Sequence, residues 1–100
     1  MTNPILDFPW TASHVTADTQ VKAGAGVLHS VVVNGLTTAG DATIYNSLTE
    51  VAPIIAVLHL DPTTSVSFQG ITFLYDCEMS TGIYIGFDGT LVADLTVMYH

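Results

Sequence analysis

Basic residues are almost missing from this sequence. It contains no arginine, and Lys22 is its only lysine, against nine aspartate and glutamate residues, so the net charge at pH 7 is −8. Nucleic-acid phosphates and anionic membranes are both bound through lysine and arginine side chains. We therefore expect neither nucleic acid nor a membrane as a partner, and the missing arginine removes the usual clamp for anionic substrates.

Cysteine, long apolar runs and helical periodicity are scarce as well. Cys77 is the single cysteine, which leaves no disulfide framework and favours folding in a reducing cytoplasm. No apolar run reaches the roughly 18 residues that cross a bilayer, and residues 1–7 lack the basic start and apolar stretch of a signal peptide. No window of about 11 residues has the period of an amphipathic helix, so the sequence predicts a helix-poor protein.

Apolar residues, by contrast, are abundant: 49% of the chain is hydrophobic and only 10% is charged. A chain of 100 residues with this composition forms one folded domain, because disorder requires low hydrophobicity and high charge. So few charged side chains are unusual on the surface of a monomer. Either uncharged polar side chains or another protein chain must cover much of this surface.

Short segments rich in valine, isoleucine and threonine, separated by glycine, proline, asparagine and aspartate, predict β-strands. They occupy residues 19–22, 27–34, 42–46, 54–60, 66–74, 83–87 and 91–99. Asp88 and Gly89 form a dipeptide typical of hairpin turns. We predict an all-β fold, an antiparallel β-sandwich of jelly-roll-like form with seven or eight strands.

The first residues follow neither a strand nor a helix pattern. We predict an extended N-terminal arm over residues 1–18 and a β-sandwich domain over residues 19–100. Phe8 and Trp10 lie in this arm, and large aromatic side chains are common anchors at protein interfaces. A frayed terminus is the alternative interpretation of the same residues.

Two of the predicted strands are apolar on both faces. In residues 27–33 and 54–60, odd and even positions both carry aliphatic side chains, whereas a two-layer sandwich buries only one face of each strand. The second face would be an aggregation hazard unless another subunit covers it. The residues predicted to contact another protein chain or a second subunit are Phe8, Trp10, Lys22, His29, Val31, Val33, Ile55 and Val57.

We expect no catalytic residue, no metal ligand and no cofactor. The four histidines and Cys77 do not have the spacing of a zinc motif. Asp76 and Glu78 flank Cys77, which predicts a solvated loop and an unreactive thiol, since neighbouring carboxylates raise its pKa. Two alternatives stay open: a histidine or aspartate cluster that binds an ion on a trimer axis, and a small hydrolase with a histidine beside a carboxylate.

Six segments in a fixed order resemble small virion proteins of tailed bacteriophages. They are VKAGAGVLHSVVVN at 21–34, ATIYN at 42–46, IIAVL at 54–58, ITF at 71–73, STGIYI at 80–85 and ADLTVMY at 93–99. The resemblance is to capsid decoration (cement) and head-fibre proteins and covers residues 19–100. It does not extend to residues 1–18.

This resemblance implies a non-enzymatic β-sandwich or jelly-roll module on the capsid exterior of a virion, synthesised in the host cytoplasm. The implied partners are the major capsid protein and two further copies of the chain in a homotrimer. The alternative function is a receptor- or carbohydrate-binding head of a phage fibre or tail appendage, in which Trp10, Tyr45, Tyr75 and Tyr84 would stack on sugar rings.

Overall fold

The computed structural model describes residues 10–61 and 71–100, and every regular element in these residues is a β-strand. The predicted all-β fold and the antiparallel sandwich are confirmed. The described residues form eight strands: β1 (Thr11–Val15), β2 (Thr19–Ala23), β3 (Gly26–Thr38), β4 (Gly40–Tyr45), β5 (Ile54–Leu60), β6 (Ile71–Met79), β7 (Gly82–Phe87) and β8 (Val92–Tyr99).

The strands form two four-stranded sheets that pack face to face. Sheet A has the order β1-β8-β3-β6, and sheet B has the order β2-β7-β4-β5. The first strand therefore pairs with the last, the second with the seventh, the third with the sixth and the fourth with the fifth. Within the described residues, β1 and β6 are the edge strands of sheet A, and β2 and β5 are the edge strands of sheet B.

The core lies between the sheets and consists of aliphatic side chains from both. Alternation places one side chain in two towards the core, as on β8, where Ala93, Leu95 and Val97 are buried. The fully buried large side chains are Val15, Leu28, Val31, Ile44, Met79, Ile83, Ile85, Leu95 and Val97.

A β-bulge changes which face of β3 is apolar. Strict alternation places Leu28 and Val31 on opposite faces, yet both are fully buried in the core. The pairing of β3 with both neighbours shifts between Leu28 and Ser30, and an extra residue there reverses the side-chain phase. The bulge therefore turns Val31 and Val33 inward with Leu28, whereas Val27 and Val32 stay partly exposed; that another chain covers this outer face stays a prediction.

Three further sequence predictions are corrected. Residues 11–15 belong to the sandwich as β1 and not to an arm, because they pair with β8 and bury Val15. Asp76 and Glu78 lie within β6 and not in a loop. Asp88 and Gly89 do not close a hairpin, because β7 and β8 belong to different sheets. Residues 1–9, with Phe8, and residues 62–70 lie outside the described part of the chain.

The carboxylate of Asp88 organises the turn that carries the chain from sheet B to sheet A. Its Oδ1 accepts hydrogen bonds from Thr90 N (3.0 Å) and Leu91 N (2.8 Å), and its Oδ2 accepts one from Asp41 N (2.8 Å). These backbone donors, with that of Asp41 contributing most, lower the pKa of Asp88.

Stability should consequently fall in acid, and Asp88→Asn should flatten that dependence. A carboxyl group whose pKa is depressed in the folded state contributes stability above its ordinary pKa of 3.8, and this contribution is lost as the pH falls through the folded value. We expect Asp88→Asn to be less stable than wild type at pH 7 but to lose less stability between pH 5 and pH 2. Urea unfolding across this range measures the difference. Glu78→Gln, which removes an exposed carboxylate on β6, should keep the wild-type pH profile; a flattened profile there would contradict the assignment to Asp88.

Candidate functional site

Three histidines on the outer faces of the two sheets each meet an aspartate of another strand. The pairs are His14 Nε2 with Asp94 Oδ1 at 2.5 Å, His59 Nδ1 with Asp41 Oδ1 at 2.9 Å, and His29 Nδ1 with Asp76 Oδ1. Five of these six residues are chain neighbours of a buried residue, so alternation directs them outward, and the sixth, Asp76, lies in a β-bulge. All three pairs are reached by solvent, and that of His29 is the most covered, with 28% of the histidine side chain exposed.

Trp10 covers the His29 pair. Its ring is stacked on the imidazole with the centroids 4.2 Å apart and the planes 8° from parallel. Trp10 directly precedes β1, so this contact joins the start of the described chain to β3. The imidazole is thus held between an aromatic ring and the carboxylate of Asp76.

The backbone of Asp76 is adapted to this contact. Its φ is 48°, in the left-handed region that aspartate tolerates better than most residues. Leu28 pairs with Cys77 and Ser30 pairs with Leu74, so Asp76 lies in the bulge opposite His29. The bulge that decides which side chains of β3 face the core also brings the Asp76 carboxylate to the His29 imidazole.

The His14 pair belongs to a polar cluster that spans three strands of sheet A. Asn34 Nδ2 donates to Asp94 Oδ1 (3.3 Å) and to Thr96 Oγ1 (2.8 Å). The hydrogen bond from Asn34, followed by that with His14, lowers the pKa of Asp94. This cluster links the edge strand β1 to β8 and β3.

The chemistry available to these pairs is limited. Among residues 10–61 and 71–100, the imidazoles hydrogen-bond to aspartates, and none bonds to a serine, threonine or cysteine that it would activate. The same residues contain no group of three or more histidine, cysteine or acidic side chains that could hold a metal ion. Burial, and then the charge of Asp76, raise the pKa of Cys77, which keeps the thiol protonated.

An aromatic pair stands on the outer face of sheet B. Tyr45 on β4 and Tyr84 on β7 are directly opposite each other, with ring centroids 6.1 Å apart and planes at 63°. Burial, and then the charges of Asp18 and Glu50, raise the pKa of Tyr84. The phenol therefore stays protonated beside two carboxylates.

The predicted contact residues divide into three groups. Val31 and Val33 lie in the core of the sandwich, so the prediction that they meet another chain is wrong; the bulge in β3 turns them inward. Trp10 and His29 contact each other, and Lys22 is half-buried with its Cδ and Cε atoms against Gly26. Ile55 and Val57 are exposed on β5, at 36% and 40%, and Phe8 lies outside the described residues.

Several residues that build these surfaces were not singled out from the sequence. Asp76 was interpreted as a loop residue, and no sequence motif at Glu50 or Gly86 indicated a site. The only local signal is the alternation of glycine with tyrosine at Gly82, Tyr84 and Gly86, which in a strand indicates a close approach to one face.

No protein-family model, curated protein or solved structure matches this chain. The described residues also include no helix that is long and apolar enough to span a membrane.

Proposed function

We propose that this chain is a structural protein of a tailed-bacteriophage virion. In this proposal it is a homotrimeric capsid decoration protein that binds the major capsid protein on the outer surface of the shell and catalyses no reaction. It is synthesised in the host cytoplasm and binds neither nucleic acid nor membranes.

The observation that carries this proposal is the exposed aliphatic edge of sheet B. Val51, just before β5, is 55% exposed, and on β5 Ile54 is 54% exposed and Val57 is 40% exposed. β5 pairs only with β4 among the described strands. A long apolar edge strand favours pairing with another chain, and a neighbouring copy in a closed ring would cover it.

The topology and the charge support the same role. Pairing of β1 with β8, β2 with β7, β3 with β6 and β4 with β5 supports the jelly-roll form that we propose. A net charge of −8 keeps decorated particles apart by mutual repulsion. A protein that binds only the assembled shell stabilises that shell by mass action.

The N-terminal residues are the proposed capsid contact. The stack of Trp10 on His29 anchors the residue before β1 to the outer face of sheet A, and we propose that residues 1–9, with Phe8, contact the capsid. Removal of residues 1–9 leaves Trp10 and β1 in place and tests these residues alone.

The experiment adds the purified chain to capsids of the phage that lack it and measures cosedimentation and position by electron microscopy. We expect saturable binding at threefold-related positions on the outer surface, and binding at least about tenfold weaker without residues 1–9. Undiminished binding of the truncated chain would overturn the role of these residues. A location on the tail, with no binding to capsids, would overturn the proposal as a whole.

A receptor- or carbohydrate-binding head is the second candidate, favoured by the half-buried ring pair of Tyr45 and Tyr84. Aromatic faces beside hydrogen-bonding groups are common in ligand sites. Binding on a glycan array, together with a tail location in particle images, would distinguish it from capsid decoration.

A further inference from the structure

The outer face of sheet B carries a patch that consists of Tyr45, Tyr84, Gly86 and Glu50. Ile44, Ile83 and Ile85, the chain neighbours of the two tyrosines, are fully buried, so both tyrosines project away from the core. Their rings meet edge to face, and both residues are partly exposed, so a ligand can reach them from solvent.

Two glycines let the segment 46–50 lie across β7. A Cβ atom at Gly82 would be 3.1 Å from Leu48 Cδ2, and a Cβ atom at Gly86 would be 2.6 Å from Glu50 Oε1. Tyr84 lies between these glycines on the same face. The side chains of Leu48 and Glu50 therefore occupy the space on either side of Tyr84 that side chains at positions 82 and 86 would otherwise fill.

Hydrogen bonds at Asn46 and Leu48 hold this segment against the neighbouring strands and turns. Gln20 Nε2 donates a hydrogen bond to Leu48 O at 2.9 Å. Asn46 donates through Nδ2 to Ser80 Oγ at 3.0 Å and accepts through Oδ1 from Thr81 N at 2.9 Å. The fold thus places the Glu50 carboxylate over Gly86 before any ligand binds, which reduces the entropy cost of binding.

The Glu50 carboxylate accepts no hydrogen bond from residues 10–61 or 71–100, whereas Asp18 nearby accepts one from Phe87 N at 2.6 Å. Every ion pair within the described residues joins a histidine to an aspartate. Lys22, the only basic residue besides the histidines, packs against Gly26. Glu50 is therefore a positioned carboxylate that lacks a cation in this part of the chain.

We propose that this patch binds an arginine side chain in a basic segment of a partner protein. A guanidinium group stacks on tyrosine faces through cation–π attraction and donates two parallel hydrogen bonds to a carboxylate. The net charge of −8 attracts a basic segment and disfavours an anionic one. This binding does not require the chain to be a virion protein, so either proposal can fail without the other.

The probe is a blocked Gly-Arg-Gly-Arg-Gly peptide, titrated at low salt and followed by amide chemical shifts. We expect the shifts to concentrate at Tyr45, Tyr84 and Gly86, and the same peptide with citrulline in place of arginine to produce none of them. Glu50→Gln should weaken binding about fivefold, as expected for an exposed cation–π and ion-pair contact.

Two further variants separate the site from general charge attraction. Glu78→Gln removes the same charge from β6 on the other sheet and should weaken binding less than about twofold. Gly86→Ala keeps every charge but adds a Cβ that displaces the Glu50 carboxylate, so it should weaken binding as Glu50→Gln does. Equal losses for Glu50→Gln and Glu78→Gln would overturn the proposal. Shifts at the same residues with neutral maltohexaose, but not with the arginine peptide, would overturn it in favour of a saccharide site.

Discussion

Replacing Leu28 with alanine is expected to lower the free energy of unfolding by about 3 kcal/mol. Leu28 is fully buried between the two sheets, so truncation removes its apolar contacts and leaves a cavity that the surrounding strands fill only in part. A domain of this size has a total stability of roughly 5–15 kcal/mol, and the variant should therefore still fold. Urea unfolding at a fixed protein concentration measures the loss.

Leu74→Ala is the matched control for this substitution. Leu74 lies on the neighbouring strand β6 and is 65% exposed on the outer face of sheet A, so the same truncation there should cost less than about 0.5 kcal/mol. If Leu74→Ala lowers the free energy of unfolding as much as Leu28→Ala does, the outer face of sheet A is covered in solution and Leu74 is not exposed there. If Leu28→Ala is neutral, the inward direction of Leu28 is wrong.

This pair of variants also tests why alternation failed on β3. The sequence predicted two apolar faces, because Leu28 and Val32 share one parity while Val31 and Val33 share the other. The bulge between Leu28 and Ser30 reverses the parity, so Leu28, Val31 and Val33 all point into the core. A bulge depends on what the neighbouring strands supply, here Asp76 with its left-handed backbone, and a single strand read alone does not reveal it.

Strand content was predictable, whereas pairing was not. Local composition placed segments close to seven of the eight strands, because β-branched residues and turn residues act within a few positions. The pairing of β1 with β8 joins residues that are 80 to 88 positions apart, and no local pattern encodes such a contact. The hairpin predicted at Asp88 failed for the same reason: the Asp-Gly signal describes a turn but does not say whether the next strand returns to the same sheet.

The candidate site shows a similar division. Trp10, His29, Tyr45 and Tyr84 were identifiable because aromatic and histidine side chains carry recognisable chemistry. Asp76, Glu50 and Gly86 owe their roles to contacts across strands, as with the Glu50 carboxylate over Gly86. The sequence placed Ile55 and Val57 on an apolar second face of β5, and both are exposed. The pairing of β5 with β4 shifts at Ile55, so Ile54 is exposed as well, which alternation alone does not predict.

The β5 edge is the basis of the prediction that Val57→Lys converts the protein from a trimer to a monomer. Val57 is 40% exposed on the outer face of β5, and we propose that a neighbouring copy covers it. Burial of the exposed 40% of this valine contributes about 0.6 kcal/mol, and a threefold interface repeats the loss three times, about 2 kcal/mol in all. The lysine adds at each contact the cost of removing a charge from water, several kcal/mol, so the sum is enough to dissociate a trimer of ordinary affinity at micromolar concentration. A lysine on an edge strand also opposes pairing with another chain.

Sedimentation velocity of the wild type and of two variants decides the question. Val92→Lys makes the same change at a residue that is 52% exposed on β8 of sheet A, and it should leave the trimer intact because the proposed interface does not include it. A monomeric wild type at micromolar concentration would overturn the trimer. Dissociation by Val92→Lys but not by Val57→Lys would move the interface to sheet A. A dimer that Val57→Lys dissociates would keep β5 as the interface but replace the threefold ring with antiparallel pairing of two β5 edges, because an isologous contact between identical strands closes after two copies.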